Sequence, residues 1–595
     1  MPEHPFNALD PPGFPPVVSR SPDAPVDRRA FLKVAAGLVV LPGVSVQNRT
    51  LWASIAPAGD QFAERVEYEL SIDPLGVSFS GESAEARSIS GMIPGPLLRL
   101  REGQEAVIRV TNNLEEQTSL HWHGLLVPFD MDGVPGFSFS GIAPGETFTY
   151  RFQVGQAGTY WYHSHSGGQE QQGVYAPIVI DPEGEDPVQY DREHVLVLSD
   201  WTDEDPLEVL RNLKGNAAYY NYGKRTVPGF FKELFNDAGA TIRDRHMWGR
   251  MRMDPTDIAD VTGATYTYLL NGQNAEQNWT GLFQAGERVR LRIINAAAMT
   301  YYDLKIPGLP MTVIQSDGQD VEPVTVDELP IAVAETYDVI VEPQAGQAYT
   351  IFAQTLDRSG FARGTLAERE GVEAPIPPMT ARTLRSMQMD GMDMAGMDMP
   401  AMDMPPMDMP APPAIDTTAA MPMDTTAAMP MDHAAAGHEA MAGASMVLPR
   451  LEYSHLRALT PNPDVRDPET DMVFRLTGDM ERYFWTLNDK KLSDSEPIQL
   501  VLGERVRVQF INETMMEHPM HLHGVFMELQ NGQERAYAPR KHTINVPPSE
   551  TVEAHLTFEA AGPWALHCHL LFHMMTGMFA RVEVSDRVAE TEPPR

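Results

Sequence analysis

The segments GQEAVIRVTNN (103–113), GERVRLRIINA (286–296) and GERVRVQFINE (503–513) are three copies of one pattern. Each is a Gly-led turn, then an alternating apolar strand, then an asparagine. A chain that writes one strand three times at wide spacing repeats the domain that buries that strand. Other runs have the same two-residue period: VEYELSI (66–72), TFTYRFQV (147–154) and TVEAHLTFE (551–559), punctuated by Gly and Pro. Such runs point to an all-β chain of sandwiches or barrels, not to βαβ units. The 595 residues also exceed what one core organises. The expected domains are 59–182, 183–372 and 450–595.

The copies differ in their downstream neighbours. The first leads into LHWHG and the last into MHLHG, whereas the middle copy leads into MTYYDLKIPG, without histidine. Further on, AGTYWYHSH (157–165) echoes AGPWALHCH (561–569). Metal chemistry is therefore expected in the first and last domains, with the middle one as a spacer. Ten of the 18 histidines fall in four clusters: His121 and His123; His163 and His165; His518, His521 and His523; and His567, His569 and His573. The fourth, HCHLLFHMMTGM, also holds the only cysteine, so no internal disulfide exists. On a strand, side chains alternate, so Cys568 points away from His567 and His569. Cys568, His518, His573 and a weak axial Met578 suit one electron-transferring copper. Eight imidazoles remain, too many for one copper and enough for three. Cys568 is then both ligand and electron path to its neighbours.

These motifs resemble those of the multicopper oxidases. SISGMIPGPLLRLREG, LHWHGLLVPFDMDGVPGFSFSGIAPGETFTYRF, GTYWYHSHSGGQEQQGVYAPIVI, RMDPTDIADVTGATYTYLLNG and VAETYDVIVEP resemble the bacterial copper-resistance protein A type within that family. The resemblance runs from about residue 28 to about 585, the methionine tract matching only loosely. It implies three consecutive cupredoxin-like Greek-key β-sandwich/barrel domains, with a disordered Met-rich insert before the third. It implies four copper ions: type 2 on His121 and His521; a type 3 pair on His123, His163, His165, His523, His567 and His569; type 1 on Cys568, His518, His573 and Met578. Asp132, in the MDG after HWHG, matches a carboxylate that relatives use in proton delivery. Met574 stands where some relatives carry an acidic residue, which leaves a second proton route unassigned. The implied activity couples one-electron oxidation, with electrons arriving at the edge of His573, to four-electron reduction of O2 to water. Cu(I) is the expected reductant. A laccase-like phenol or Fe(II) oxidase and a copper-sequestering protein are the alternatives.

Composition narrows the setting. The balance of 45 basic against 82 acidic residues, −37 in all, argues against nucleic acid or anionic lipid as partner and favours cations. DRRAFLK (27–33) followed by VAAGLVVLPGV (34–44) resembles a twin-arginine export signal within a leader at 1–58. The apolar run is too short for a stable membrane span. Export to the periplasm through the twin-arginine machinery is expected. Residues 373–449 form a Met/Asp/Pro-rich segment expected to be disordered, with 16 of the 34 methionines between Met387 and Met446. Thioethers favour Cu(I), so additional Cu(I) is expected there.

Overall fold

The computed structural model describes residues 65–250, 254–382, 448–479 and 482–586. The expected leader (1–58) and the methionine tract (387–446) lie outside the described residues. Each repeated segment becomes an inner strand of a sheet. Glu105–Asn112 lies between Arg65–Val77, to which it is parallel, and Thr147–Gln153, to which it is antiparallel. Val289–Asn295 has the same neighbours in kind, Arg192–Trp201 and Thr336–Val341. So has Arg505–Asn512, between Thr470–Asp479 and Thr551–Thr557. A second sheet faces each of these. The first domain packs four strands on four; the second and third each pack six on five. Inward side chains of both layers make the core, as Leu70, Ile108, Val110, Trp122, Tyr150 and Tyr162 do in the first domain.

The repeated asparagine has a common job. Asn112 donates to the carbonyls of Glu116 and Ile142 and accepts from Leu114 N–H. Asn295 does the same with Thr300, Ile331 and Ala297. Asn512 does so with Met516, Val546 and Thr514. A buried amide thus replaces the ladder where the strand ends, satisfying backbone groups that burial would otherwise leave unpaired. In the first and third domains the loop it holds leads straight into the histidine strands His121–His123 and His518–Leu522.

The second domain departs from pure β structure. Three helices, Pro206–Gly215, Val227–Asn236 and Ala238–Arg250, stand between the strands Arg192–Trp201 and Thr267–Leu270. Asp205 caps the first by accepting from Leu207 N–H and Glu208 N–H, and Pro206 opens it. Val209, Leu210 and Leu213 turn its apolar side inward. The first and second domains meet at a buried ion network. Arg292 pairs with Glu193 and Asp338, Thr159 donates to Asp338, and Arg99 holds Glu193 and Asp181. Among the described residues no helix is long and apolar enough to cross a membrane.

Candidate metal centres

The strand Gly562–Cys568 runs antiparallel to His518–Leu522, with Met520 opposite Cys568 and His521 opposite His567. Alternation along both strands separates two clusters. On one face Cys568 Sγ lies 3.6 Å from His518 Nδ1 and 3.8 Å from His573 Nδ1, and the two nitrogens are 3.1 Å apart. All three residues are buried. His573 sits on the short helix Leu571–Thr576, which Gly577 ends at φ 131°. Met578, fully buried, returns its N–H to the His573 carbonyl and accepts from Cys568 N–H, both at 3.1 Å. Burial pushes the Cys568 thiol well above its ordinary range, so its thiolate forms only with a cation beside it.

The outer nitrogens of these imidazoles are also occupied. His518 Nε2 lies 2.8 Å from Thr514 Oγ1. His573 Nε2 lies 2.8 Å from Asp260 Oδ2, which also accepts from the Tyr483 hydroxyl at 2.8 Å. The Trp485 ring stacks on His573, 4.0 Å between centroids. His573 is therefore wholly covered, and its expected electron-accepting edge is closed by a carboxylate from the second domain. Asp260 lines a narrow cavity together with Met299, Met516 and Glu517.

The other eight histidines converge between the first and third domains. His121, His123 and His521 form one triad; His121, His165 and His523 a second; His123, His163 and His569 a third; His521, His523 and His567 a fourth. Within each triad the donor atoms lie within 4.8 Å of one another. His121 Nε2, His123 Nδ1, His163 Nε2, His165 Nε2, His521 Nε2 and His569 Nε2 have no hydrogen-bond partner, and His523 Nε2 and His567 Nε2 face each other at 3.1 Å. Burial, reinforced by neighbouring imidazoles, pushes His123, His163, His165, His521, His567 and His569 well below the usual histidine range, and His523 to about 4. These seven rings are thus neutral, which is the state a transition metal needs of its imidazole ligands.

In His121, His163, His521, His523 and His567 the opposite ring nitrogen is tied outward, which fixes the tautomer. His121 Nδ1 donates to the Asp132 carbonyl (2.7 Å), and His523 Nδ1 donates to Asp132 Oδ2 (2.9 Å). Asp132 thereby joins ligands of two domains. Gly133, at φ 82°, has no room for a Cβ against the Leu120 carbonyl, which explains the glycine after Asp132. His163 Nδ1 donates to Glu170 (2.8 Å), and His567 Nδ1 to the Cys568 carbonyl (3.0 Å). His521 Nδ1 donates to the His542 carbonyl (2.6 Å).

Eleven of the twelve residues expected around metal, ten histidines and Cys568, thus gather into two adjoining sites, Met578 is buried beside Cys568 through its backbone, and Asp132 lies against the larger site. Several supporting residues carry no motif of their own. Glu170 stands five residues beyond His165, and its acidity so close to HSH was the available signal. Asp260 lies in RMDPTDIADVTG, a segment without histidine, and Thr514 stands four residues before His518, whereas His542 and Thr543 lie on another segment that nothing local marks. The donor sets fit copper: two imidazoles with a thiol at one site, imidazoles alone at the other.

Comparison with known proteins agrees with this chemistry. Three family models, each described as multicopper oxidase, match residues 72–185, 192–371 and 466–588. The chain is 47% identical over 603 residues to Copper resistance protein A of Escherichia coli, covering 94% of this chain and 99% of that one. It is also 47% identical over 605 residues to Copper resistance protein A of Pseudomonas syringae pv. tomato, with the same coverage. Among solved structures, Fet3p, a multicopper oxidase that functions in iron import, superposes with a TM-score of 0.62 at 18% identity, covering 88% of this chain and 93% of that one. With models matched along most of its length and near-complete relatives at this identity, the chain belongs to the multicopper oxidase family.

Proposed function

We propose that this protein is an exported cuprous oxidase that converts Cu(I) to Cu(II) at the expense of O2 and so protects against copper. The observation that carries this reading is the 47% identity, over nearly the whole of both chains, to proteins named for copper resistance. Bound copper supplies one-electron chemistry at the Cys568 site and four-electron reduction of O2 to water at the eight-histidine site. We assign type 1 copper to Cys568, His518, His573 and Met578, and type 2 copper to His121 and His521. The type 3 pair falls to His123, His163, His165, His523, His567 and His569.

The residues then divide the work. Asp260, with Met299, Met516 and Glu517 around it, offers carboxylate and thioether groups to an incoming cation beside His573. The Asp260–His573 hydrogen bond carries the electron inward. From Cys568 the covalent chain leads to His567 and His569, and the bond from His567 Nδ1 to the Cys568 carbonyl shortens one of those routes. Asp132 holds His121 and His523 and is the proton-delivering carboxylate. A net charge of −37 gathers cations, and the methionine tract 387–446 presents further Cu(I). The DRRAFLK leader directs the folded protein through the twin-arginine machinery to the periplasm.

Oxygen uptake by the copper-loaded protein with Cu(I), a catechol and Fe(II) tests the substrate. Cu(I) is expected to give the highest kcat/KM. A phenol preference that survives deletion of 387–446 would establish a laccase-like enzyme instead. The 16 methionines of the tract favour one further reading, copper sequestration. Many more than four coppers bound with negligible oxygen uptake would support it.

A further inference from the structure

Resting on the copper assignments above, we infer that Asp317, in the domain that supplies no histidine ligand, positions His123 and His521 of the oxygen-reducing site through the segment Lys541–Thr543. Those three consecutive residues are buried at the junction of all three domains. Asp317 Oδ2 accepts from the backbone N–H of His542 and of Thr543, both at 3.1 Å. It also pairs with the Lys541 ammonium at 3.1 Å. Lys541 gives its remaining hydrogens to Ser316 Oγ (2.8 Å) and Glu335 Oε1 (3.0 Å), so all three of its donors end on the second domain. The other Asp317 oxygen accepts from Thr336 N–H at 3.0 Å, which fixes the carboxylate itself.

The same segment turns its remaining groups to the ligands. The His542 carbonyl accepts from His521 Nδ1, and Thr543 Oγ1 lies 3.1 Å from His123 Nε2. These contacts leave His521 Nε2 and His123 Nδ1 free to face the centre, both without another partner. The two rings stack at 3.8 Å between centroids. Gly124, next to His123, packs so close to the His542 ring that a Cβ there would collide with it. The segment therefore cannot shift without moving a ligand of the first domain and one of the third together. Outer partners of metal-bound histidines set ring orientation, and their loss typically weakens metal binding or activity by about 10–100-fold.

The test compares full-length, copper-loaded wild type with Asp317→Ala, Asp317→Asn and Thr543→Val. The readouts are copper per chain, type 2 electron paramagnetic resonance, near-ultraviolet absorption of the coupled pair, blue type 1 absorption and Tm. Glu193→Gln, in the ion network between the first and second domains, serves as a control for stability alone. Asp317→Ala is expected to keep the blue absorption, alter the type 2 signal and lose that copper about 10–100-fold more readily. Asp317→Asn, which keeps an oxygen for the two backbone N–H groups, is expected to restore part of the signal. Thr543→Val keeps the links to the second domain and is expected to change the coupled-pair band. Native type 2 and coupled-pair spectra in Asp317→Ala, with Tm lowered as in Glu193→Gln, would overturn the inference. Native spectra in Thr543→Val would overturn it too, and Asp317→Asn decides if Asp317→Ala does not fold, since fully native type 2 and coupled-pair spectra there would overturn the inference. Failure of the copper assignment itself would show separately, as absence of these signals from the wild type.

Discussion

Replacing Asp260 by asparagine isolates what the second domain contributes to electron uptake. The carboxylate is almost fully buried and accepts from His573 Nε2 and the Tyr483 hydroxyl, each at 2.8 Å. Asparagine keeps an oxygen in place and removes the negative charge. A hydrogen bond to a charged group contributes about 1.5–3 kcal/mol. The anion favours the more positive, oxidised state of a copper on the far side of the imidazole. Its loss therefore raises the type 1 potential. If the whole bond energy is differential between redox states, the rise is about 60–130 mV, at 59 mV per tenfold change for one electron. Potentiometric titration of the blue absorption reads this directly, and steady-state oxygen uptake with Cu(I) should show KM raised at least severalfold. An unchanged or lowered potential, with Cu(I) kinetics intact, would refute the idea that Asp260 couples substrate to His573.

Other consequences arise from particular contacts. Burial opposes ionisation of Glu193, but Arg292 and Arg99 outweigh it and bring its pKa down to about 2. A depressed carboxylate stabilises the fold above its unfolded pKa, near 4.5, and that contribution fades as pH falls toward 2. Glu193→Gln should thus cost roughly 3 kcal/mol at neutral pH and less below pH 4, which denaturant titrations across pH will measure. Gly133→Ala forces a side chain onto the Leu120 carbonyl at positive φ. It should lower Tm by several degrees and weaken the type 2 signal through displaced Asp132, whereas an unaltered spectrum would detach Asp132 from the metal site. Asp132→Asn should retain four coppers and the blue colour while slowing oxygen turnover at least tenfold, as rapid-mixing kinetics would show.

Much of this architecture was legible because strand periodicity translates directly into faces. Cys568 between two histidines could only be divided from them by the pleat, and the structure places its sulfur with His518 and His573 and the two imidazoles on the other side. The repeated strands were equally readable, since each needs an alternating apolar face and an asparagine to close its end. What escaped reading depends on long-range packing. Asp260 meets His573 across 313 residues, and Asp317 meets Thr543 across 226. No local pattern encodes such meetings, so a domain without ligands reads as a spacer although it reaches both metal sites. The helices between residues 206 and 250 are masked in the sequence for a simpler reason. Asp205-Pro206 is a sound helix start, but it is a short insertion within a strongly alternating chain.

Copper content and absorption of wild type beside Cys568→Ser test the central claim most directly, namely that one thiolate and ten imidazoles hold four coppers in electronic contact. The wild type should bind four coppers per chain, show intense blue absorption and consume O2 with Cu(I). The serine variant should keep three coppers, lose the blue band and lose oxygen uptake. A colourless, fully loaded wild type, or a serine variant that still reduces O2 at the native rate, would contradict it.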